Sequence, residues 1–402
     1  MPKINTTKIQ LSTLIGAILF CNLIFSQEYK TNKIIVDQGT KAPLGFVNIN
    51  NSLDNTISNE DGQFVFISKE NSIKISRVGY QPVATTFAAI AVLDTIFLEA
   101  VTTELEEVVV TNTSSLLNDV YRNVAKWYPI ETFSEKFFIR AVLKKNNEIT
   151  RLQDISGRIE SNAMFLNQTI KKKEHSLEIL NLRKTDIVNK AQVEYYEFLS
   201  ANSLYSWFSG IFTVPSDYVF TKVKSTDPQY IKIEYSKSDQ NTSSLYRNGY
   251  YLIDKDEKSI KEVGYKLYGD KSQIPYQSKG PIKWRTIEAD LVVNYVKSPK
   301  NNKYYVGSAK LSTITEVVNE KKGEKDIYEC TYDLITVDSF IEENVKPNFS
   351  VSRDLFKSNF SYSEEFWNSQ NQLPLTKELK SFLQRINDTK SIKSDFKIHG
   401  NF

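Results

Sequence analysis

The sequence predicts a mainly β protein: a small antiparallel β-sandwich near the N-terminus, then a larger antiparallel β-rich domain carrying a few helices. Composition is the first sign. The chain has 22 Tyr and 23 Phe against 2 Met, together with many Ile, Val and Thr; such side chains suit pleated, half-buried surfaces better than helix bundles. Alternation is the second sign, because short apolar-polar runs divided by turn residues follow one another from Lys33 to about Leu98. The third is the return of strand-like runs from Phe133 to about Asp338.

Residues 1–26 read as a signal peptide. Lys3 and Lys8 precede an apolar run from Leu11 to Phe25, and Ser26-Gln27-Glu28 follow. A spanning helix needs roughly 20 apolar residues, and this run is shorter and interrupted by Asn22; an uncleaved anchor helix is the competing reading. Ser26 suits a cleavage site, while Ile24 is larger than the preferred alanine. Cys21 follows Phe20, where lipoprotein-type processing needs a small residue, so it is expected to leave with the leader. Only Cys330 then remains, and no intrachain disulfide can form. A formal charge of +3 over the whole chain gives none of the clustered basic surface that nucleic acid requires.

The sandwich is expected over residues 27–100. Lys33-Ile34-Ile35-Val36 forms a first strand. In the Asp37 to Pro43 turn, Gly39 is expected to supply positive φ and Pro43 to fix its own. Phe46, Val47 and Ile49 form a second strand. Asn59-Glu60-Asp61-Gly62 is a hairpin signal, and Phe64, Phe66, Ile73, Ile75 and Val78 alternate with polar neighbours, so each strand buries one face.

Three stretches carry a family resemblance. Pro43 to Ile49, Ile57 to Phe64 and Ile73 to Tyr80 resemble, in order and spacing, the signatures of the carboxypeptidase-regulatory-like domain. That resemblance covers about 80 residues and implies a seven-stranded, prealbumin-type sandwich. Leu105 to Thr111, in a linker spanning 101–114, is similar to the segment that joins such domains to TonB-dependent outer-membrane receptors of Bacteroidetes-type bacteria. The chain beyond Thr111 is too short for a receptor's plug and large barrel. The remaining domain, 115–402, resembles the C-terminal part of uncharacterised Bacteroidetes proteins that pair this sandwich with a large curved sheet.

In that second domain, Ser114-Ser115 are expected to cap a helix near 115–128 with an apolar stripe of Leu117, Val120, Tyr121, Val124 and Tyr128, ended by Pro129. Strands are expected at 137–143, 231–235, 250–254, 291–295 and 328–332, with turns at Asn241 to Ser244, Asp254 to Glu257 and Asn319 to Gly323. Thr376 caps a second helix near 376–386 through Leu379, Phe382, Leu383 and Ile386.

Candidate chemistry yields no catalytic, cofactor-binding or metal-binding residue. His175-Ser176-Leu177-Glu178 has the His-x-x-Glu spacing of zinc carboxypeptidases, but a catalytic zinc needs a third protein ligand and a base, and His399 stands in an unrelated tail. Cys330 in a Tyr-x-Cys-x-Tyr strand reads as packing. Asp254, Asp256 and Glu257 lack the calcium-loop pattern. Leu373-Pro374-Leu375-Thr376 reads as a helix entry rather than a sorting signal. Tyr195-Tyr196-Glu197-Phe198, Tyr205-Ser206-Trp207-Phe208 and Trp284 read first as packing and second as platforms for sugar or peptide. Asp395 to Phe402 alternates and ends in Phe like a barrel's last strand.

The reading is therefore an exported, non-catalytic envelope protein, periplasmic or at the outer membrane or cell surface. It needs no cofactor and binds a protein partner, polysaccharide or peptide but no nucleic acid. A carboxypeptidase-related hydrolase and a small outer-membrane β-barrel stand as alternatives.

Overall fold

In the computed structural model the described residues are 28–101, 113–165, 172, 174–187, 195–209, 218–223, 225, 227–238, 246–388 and 396–402. The leader, nearly all of the 101–114 linker and the Asn241 to Ser244 turn lie outside them.

The N-terminal unit contains β1 (Tyr29–Asp37), β2 (Asn48–Asn50), β3 (Asn55–Ile57), β4 (Gln63–Ser68), β5 (Ser72–Ser76), β6 (Val83–Thr86), α1 (Phe87–Ala91) and β7 (Thr95–Leu98). These seven strands form two sheets, ordered β4-β1-β7 and β3-β2-β5-β6. Alternate residues from both sheets, including Ile35, Val47, Ile49, Phe64, Phe66, Ile73 and Ile75, meet in one apolar core. Phe87 of α1 completes it, stacking on Tyr29 and Phe66 with ring centroids 5.4 Å apart in each case.

Four local expectations are corrected. The Asn59 to Gly62 turn forms, with Gly62 at φ +74°, but it carries the chain from one sheet to the other: β3 pairs with β2 and β4 pairs with β1. An Asp-Gly turn fixes local backbone, whereas the apolar faces decide which sheet each flanking strand joins. Positive φ in the preceding turn falls on Lys41 rather than Gly39, because the Asp37 carboxylate accepts from Thr40 N at 2.6 Å and holds the first residues in an ordinary turn. Val78 sits in an exposed turn instead of a strand. β7 joins β1 in parallel, a departure from all-antiparallel pairing.

The larger unit contains α2 (Thr113–Trp127), β8 (Phe133–Lys145), β9 (Glu148–Ser161), β10 (His175–Ile187), α3 (Ala201–Ser209), β11 (Tyr218–Val223), β12 (Tyr230–Lys237), β13 (Tyr246–Asp254) and β14 (Ile260–Tyr268). It continues with β15 (Gln277–Lys279), β16 (Ile282–Lys297), β17 (Tyr304–Asn319), β18 (Glu324–Ser339), α4 (Glu364–Asn368), α5 (Lys377–Asp388) and β19 (Phe396–His399). The strands form a single 12-stranded sheet, ordered β11-β12-β13-β14-β16-β17-β18-β8-β9-β10-β19, with β15 paired to β16. β16, β17 and β18 run 16 residues each, and bulges in β16, β10 and β18 add bend and twist.

The sheet curls so that inward residues of β8 to β18 share one core with α2 and α3. Among the described residues its end strands, β11 and β19, do not pair with each other. The outward face of β8, β17 and β18 carries charged residues and the docked sandwich.

Helix α2 presents Val120 and Trp127 to the inner core, joined by Tyr128 just past its end, while Tyr121 is exposed. It already includes Thr113, so Ser114-Ser115 lie within its first turn and not at its cap. Its end is pinned where the Tyr128 hydroxyl donates to Ile260 O at 2.8 Å and accepts from Ile260 N at 2.7 Å. Helix α5 buries Leu379, Phe382, Leu383 and Ile386 against Ile149 and Leu152 of β9. Thr376 Oγ1 accepts from Leu379 N at 3.2 Å, as the capping reading expects. Thr376→Ala is accordingly expected to cost about 1 kcal/mol of stability, measured as a shift in the urea midpoint.

The sandwich docks on the outer face. Ile57 packs with Phe138, Ile335, Trp367 and Leu373, and Asn55 Nδ2 donates to Gly307 O at 2.8 Å. Asn371 acts as a side-chain splint on β4: its Oδ1 accepts from Ile67 N at 2.7 Å and its Nδ2 donates to Ile67 O at 3.0 Å.

Candidate functional site

Strand alternation puts residues of opposite charge in register across the outer face. β-ladder pairing aligns Lys310 with Asp333, Asp333 with Arg140, Arg140 with Asp154 and Asp154 with Arg183. The row crosses five neighbouring strands, β17, β18, β8, β9 and β10, as base, acid, base, acid, base. Cross-strand neighbours of opposite sign attract, and the effect strengthens as water is excluded.

At one end of the row the charges are fully paired. Asp154 is 0 % exposed and takes both guanidiniums: Arg140 Nε and Nη2 at 2.8 Å, Arg183 Nε at 2.9 Å and Nη2 at 2.8 Å. Burial raises the Asp154 carboxyl, but the two arginines outweigh burial and hold it below the usual range. The remaining guanidinium donors reach Pro374 O at 2.8 Å, Gln372 Oε1 at 2.7 Å and Asn401 O at 3.1 Å. Arg183 also lies 4.5 Å from the Trp367 ring centroid. This half is a clasp that ties the C-terminal segments to the sheet.

The other half faces a cavity of about 400 Å³ between sandwich and sheet. Its floor is β18, with Glu329, Thr331 and Asp333, beside β8, with Arg140, Val142 and Lys144; Phe46 and Glu60 of the sandwich form the roof, and the start of α5 closes one end. The bases next to the β18 acids make their hydrogen bonds elsewhere: Lys310 to Glu60 at 2.5 Å, Lys144 to Glu378 at 2.9 Å and Arg140 to Asp154, while the Lys310 charge is shared with Asp333. Among the described residues Asp333 and Glu329 accept no hydrogen bond, and the Arg77 side chain, which lines the same cavity, donates none: its guanidinium lies 5.5 Å from the Tyr80 ring and acts on the Glu262 carboxylate through its charge alone. Burial raises the Asp333 carboxyl, with Lys310 opposing.

The residues weighed from sequence lie elsewhere. His175 and Glu178 are three apart on β10, which turns them to opposite faces. His175 Nδ1 is 2.7 Å from Ser161 Oγ and its ring 5.5 Å from Tyr205, on the inner side; Glu178 accepts from Arg158 at 3.4 Å and Lys346 N at 3.2 Å on the outer side. His399 Nε2 lies 3.0 Å from Phe360 O. Cys330 is fully buried, and burial pushes its thiol up to about 12, where the reactive thiolate is not populated.

The Asp254 to Glu257 oxygens serve their own turn. Asp254 Oδ1 accepts from Asp256 N at 3.0 Å and Glu257 N at 2.9 Å, and Glu257 pairs with Lys261 and Lys297. No group of three or more His, Cys, Asp or Glu among the described residues is arranged to hold a metal. The aromatic runs turn inward: Phe198, Tyr205 and Phe208 are core residues, and Tyr195, Tyr196, Trp207 and Trp284 pack against that core. Sequence reading missed the outer-face row because its members are scattered over strands that pair only in the folded sheet. Its available signal was a charge, such as Arg140, standing inside an otherwise apolar strand.

No family model and no curated protein matches the chain. Among solved structures, a domain from Vibrio parahaemolyticus, provisionally described as an outer membrane lipoprotein-sorting protein domain, is similar at 14 % identity. That match covers 58 % of this chain and 95 % of that one, with a TM-score of 0.27. A provisionally membrane-associated protein of unknown function from Bacteroides fragilis is similar at 8 % identity over 78 % of this chain and 99 % of that one, with a TM-score of 0.14. At these TM-scores neither likeness bears on the function of this chain.

Proposed function

We propose that this chain is an exported, non-catalytic protein of the cell envelope whose sandwich, of the carboxypeptidase-regulatory-like type, and curved sheet together form a binding cleft for an envelope protein, peptide or extracellular polymer. One observation carries the reading: a cavity of about 400 Å³ walled by both units holds the side chains of Asp333, Glu329 and Arg77, which make no hydrogen bond among the described residues. Half-buried polar groups left in this state gain from a partner that satisfies them. The cavity volume lies within the range of small-ligand sites.

The test places a photoreactive side chain at Thr331, on the cleft floor, and in a second protein at Lys255, in the distant β13–β14 turn, both expressed in the native host. The expected result is recovery of the protein with the envelope fraction and a crosslinked product from position 331 that position 255 does not give. Equal labelling from both positions, or recovery in the cytosol, overturns the reading.

A further inference from the structure

We infer that the cleft seats the free ammonium group of a short peptide on the carboxylate of Asp333, with Glu329 receiving further donors along the same floor. The inference rests on the cleft being the binding site and narrows it to a ligand class.

The argument is one of donors and acceptors. Glu329, Thr331 and Asp333 occupy successive outward positions of β18, so the two carboxylates stand about 13 Å apart along the strand. That separation suits an extended ligand of a few residues, not a single compact ion. Among the described residues both carboxylates accept no hydrogen bond, because Lys310, Lys144 and Arg140 donate to Glu60, Glu378 and Asp154, and Lys310 reaches Asp333 through its charge alone. A ligand that fills the cleft must therefore bring donors, and an ammonium brings three on one charged atom.

The surroundings decide what else the ligand carries. Arg77, Arg140, Lys144 and Lys310 all line the cavity, so a bare cation would meet four positive groups as well as the acids. A peptide supplies carbonyl and carboxylate acceptors to those bases while its amino terminus meets Asp333. Arg77, whose guanidinium donates no hydrogen bond among the described residues and meets the Glu262 carboxylate only through its charge, is placed to donate to such an acceptor.

Calorimetric titration of the purified full chain with trialanine, N-acetyl-trialanine and glucosamine tests this. Trialanine is expected to bind, and N-acetylation to weaken binding roughly tenfold or more by removing the charged donor. Asp333→Asn is expected to weaken trialanine by a similar factor while leaving the thermal unfolding midpoint in place. Glu329→Gln, a second isosteric variant, is expected to weaken it less.

Equal binding of the acetylated peptide, binding of glucosamine without trialanine, or no binding of trialanine overturns the inference. Crosslinking from Thr331 separates its failure from that of the broader reading: a cleft that captures an envelope component while ignoring trialanine leaves the binding function standing and removes the peptide ammonium.

Discussion

Asp154→Ala is expected to destabilise the protein by about 3–5 kcal/mol, more than any other single charge removal on the outer face. The carboxylate is 0 % exposed and satisfies two guanidiniums that are themselves 1 % and 5 % exposed. Removing it leaves two buried positive charges side by side with no acceptor between them. The loss is thus the cost of stranding them, not the net worth of the ion pairs.

Because Arg140 and Arg183 also hold Pro374 O, Gln372 and Asn401 O, the damage should spread beyond the site. Amide exchange near residues 370–376 and 398–402 should rise together with a fall in the urea midpoint. A triple variant, Arg140→Met, Asp154→Leu and Arg183→Met, should recover much of the loss, since an apolar set of similar volume carries no stranded charge. The sign of the pH effect follows from the depressed Asp154 carboxyl. Its contribution is complete above the ordinary value of 3.8 and is lost as pH falls below that, and the Asp154→Ala protein should lack this acid-limb loss. A wild-type-like midpoint in the alanine variant would dismiss the clasp.

How much of this was legible beforehand depends on how local each signal was. Helix α5 was readable because Leu379, Phe382, Leu383 and Ile386 repeat on one face within a dozen residues and Thr376 marks the entry. The sandwich strands were readable because Phe64, Phe66, Ile73 and Ile75 alternate between turn residues. Strands β9, β10 and β17 were missed: they carry polar groups on both faces, as in Arg151-Leu152-Gln153-Asp154, and the ion pairs that make burial of those groups tolerable come from other strands. The charged row lies beyond any single-segment pattern, since Lys310 and Arg183 meet it only through the order β17-β18-β8-β9-β10. The hairpin expected at Asp61-Gly62 failed for the same reason, because turn chemistry is local and sheet membership is not.

Glu135→Gln is expected to abolish a loss of stability that the parent protein shows between about pH 5 and pH 8. Glu135 lies on β8 between Phe133 and Phe137, whose rings belong to the inner core, and is 2 % exposed. Its Oε1 has no hydrogen-bond partner among the described residues, and the nearby Tyr205 hydroxyl has none either. Burial, reinforced by the Asp338 charge, pushes the carboxyl up from 4.5 to about 8.

A raised acid binds its proton more tightly folded than unfolded. Its contribution is therefore fully present below pH 4.5 and is lost as pH rises through about 8, with a slope of at most about 1.4 kcal/mol per pH unit inside that window. Glutamine has the shape of the protonated acid and no charge to lose. The variant should match the parent near pH 4.5 and exceed it increasingly toward pH 8 in urea titrations at fixed pH. Parallel curves for the two proteins would mean that Glu135 is ionised in the core and compensated by a donor, in which case glutamine would weaken the fold at every pH. The direction of the difference at pH 8 therefore decides whether this part of the inner core holds a neutral acid or a buried charge.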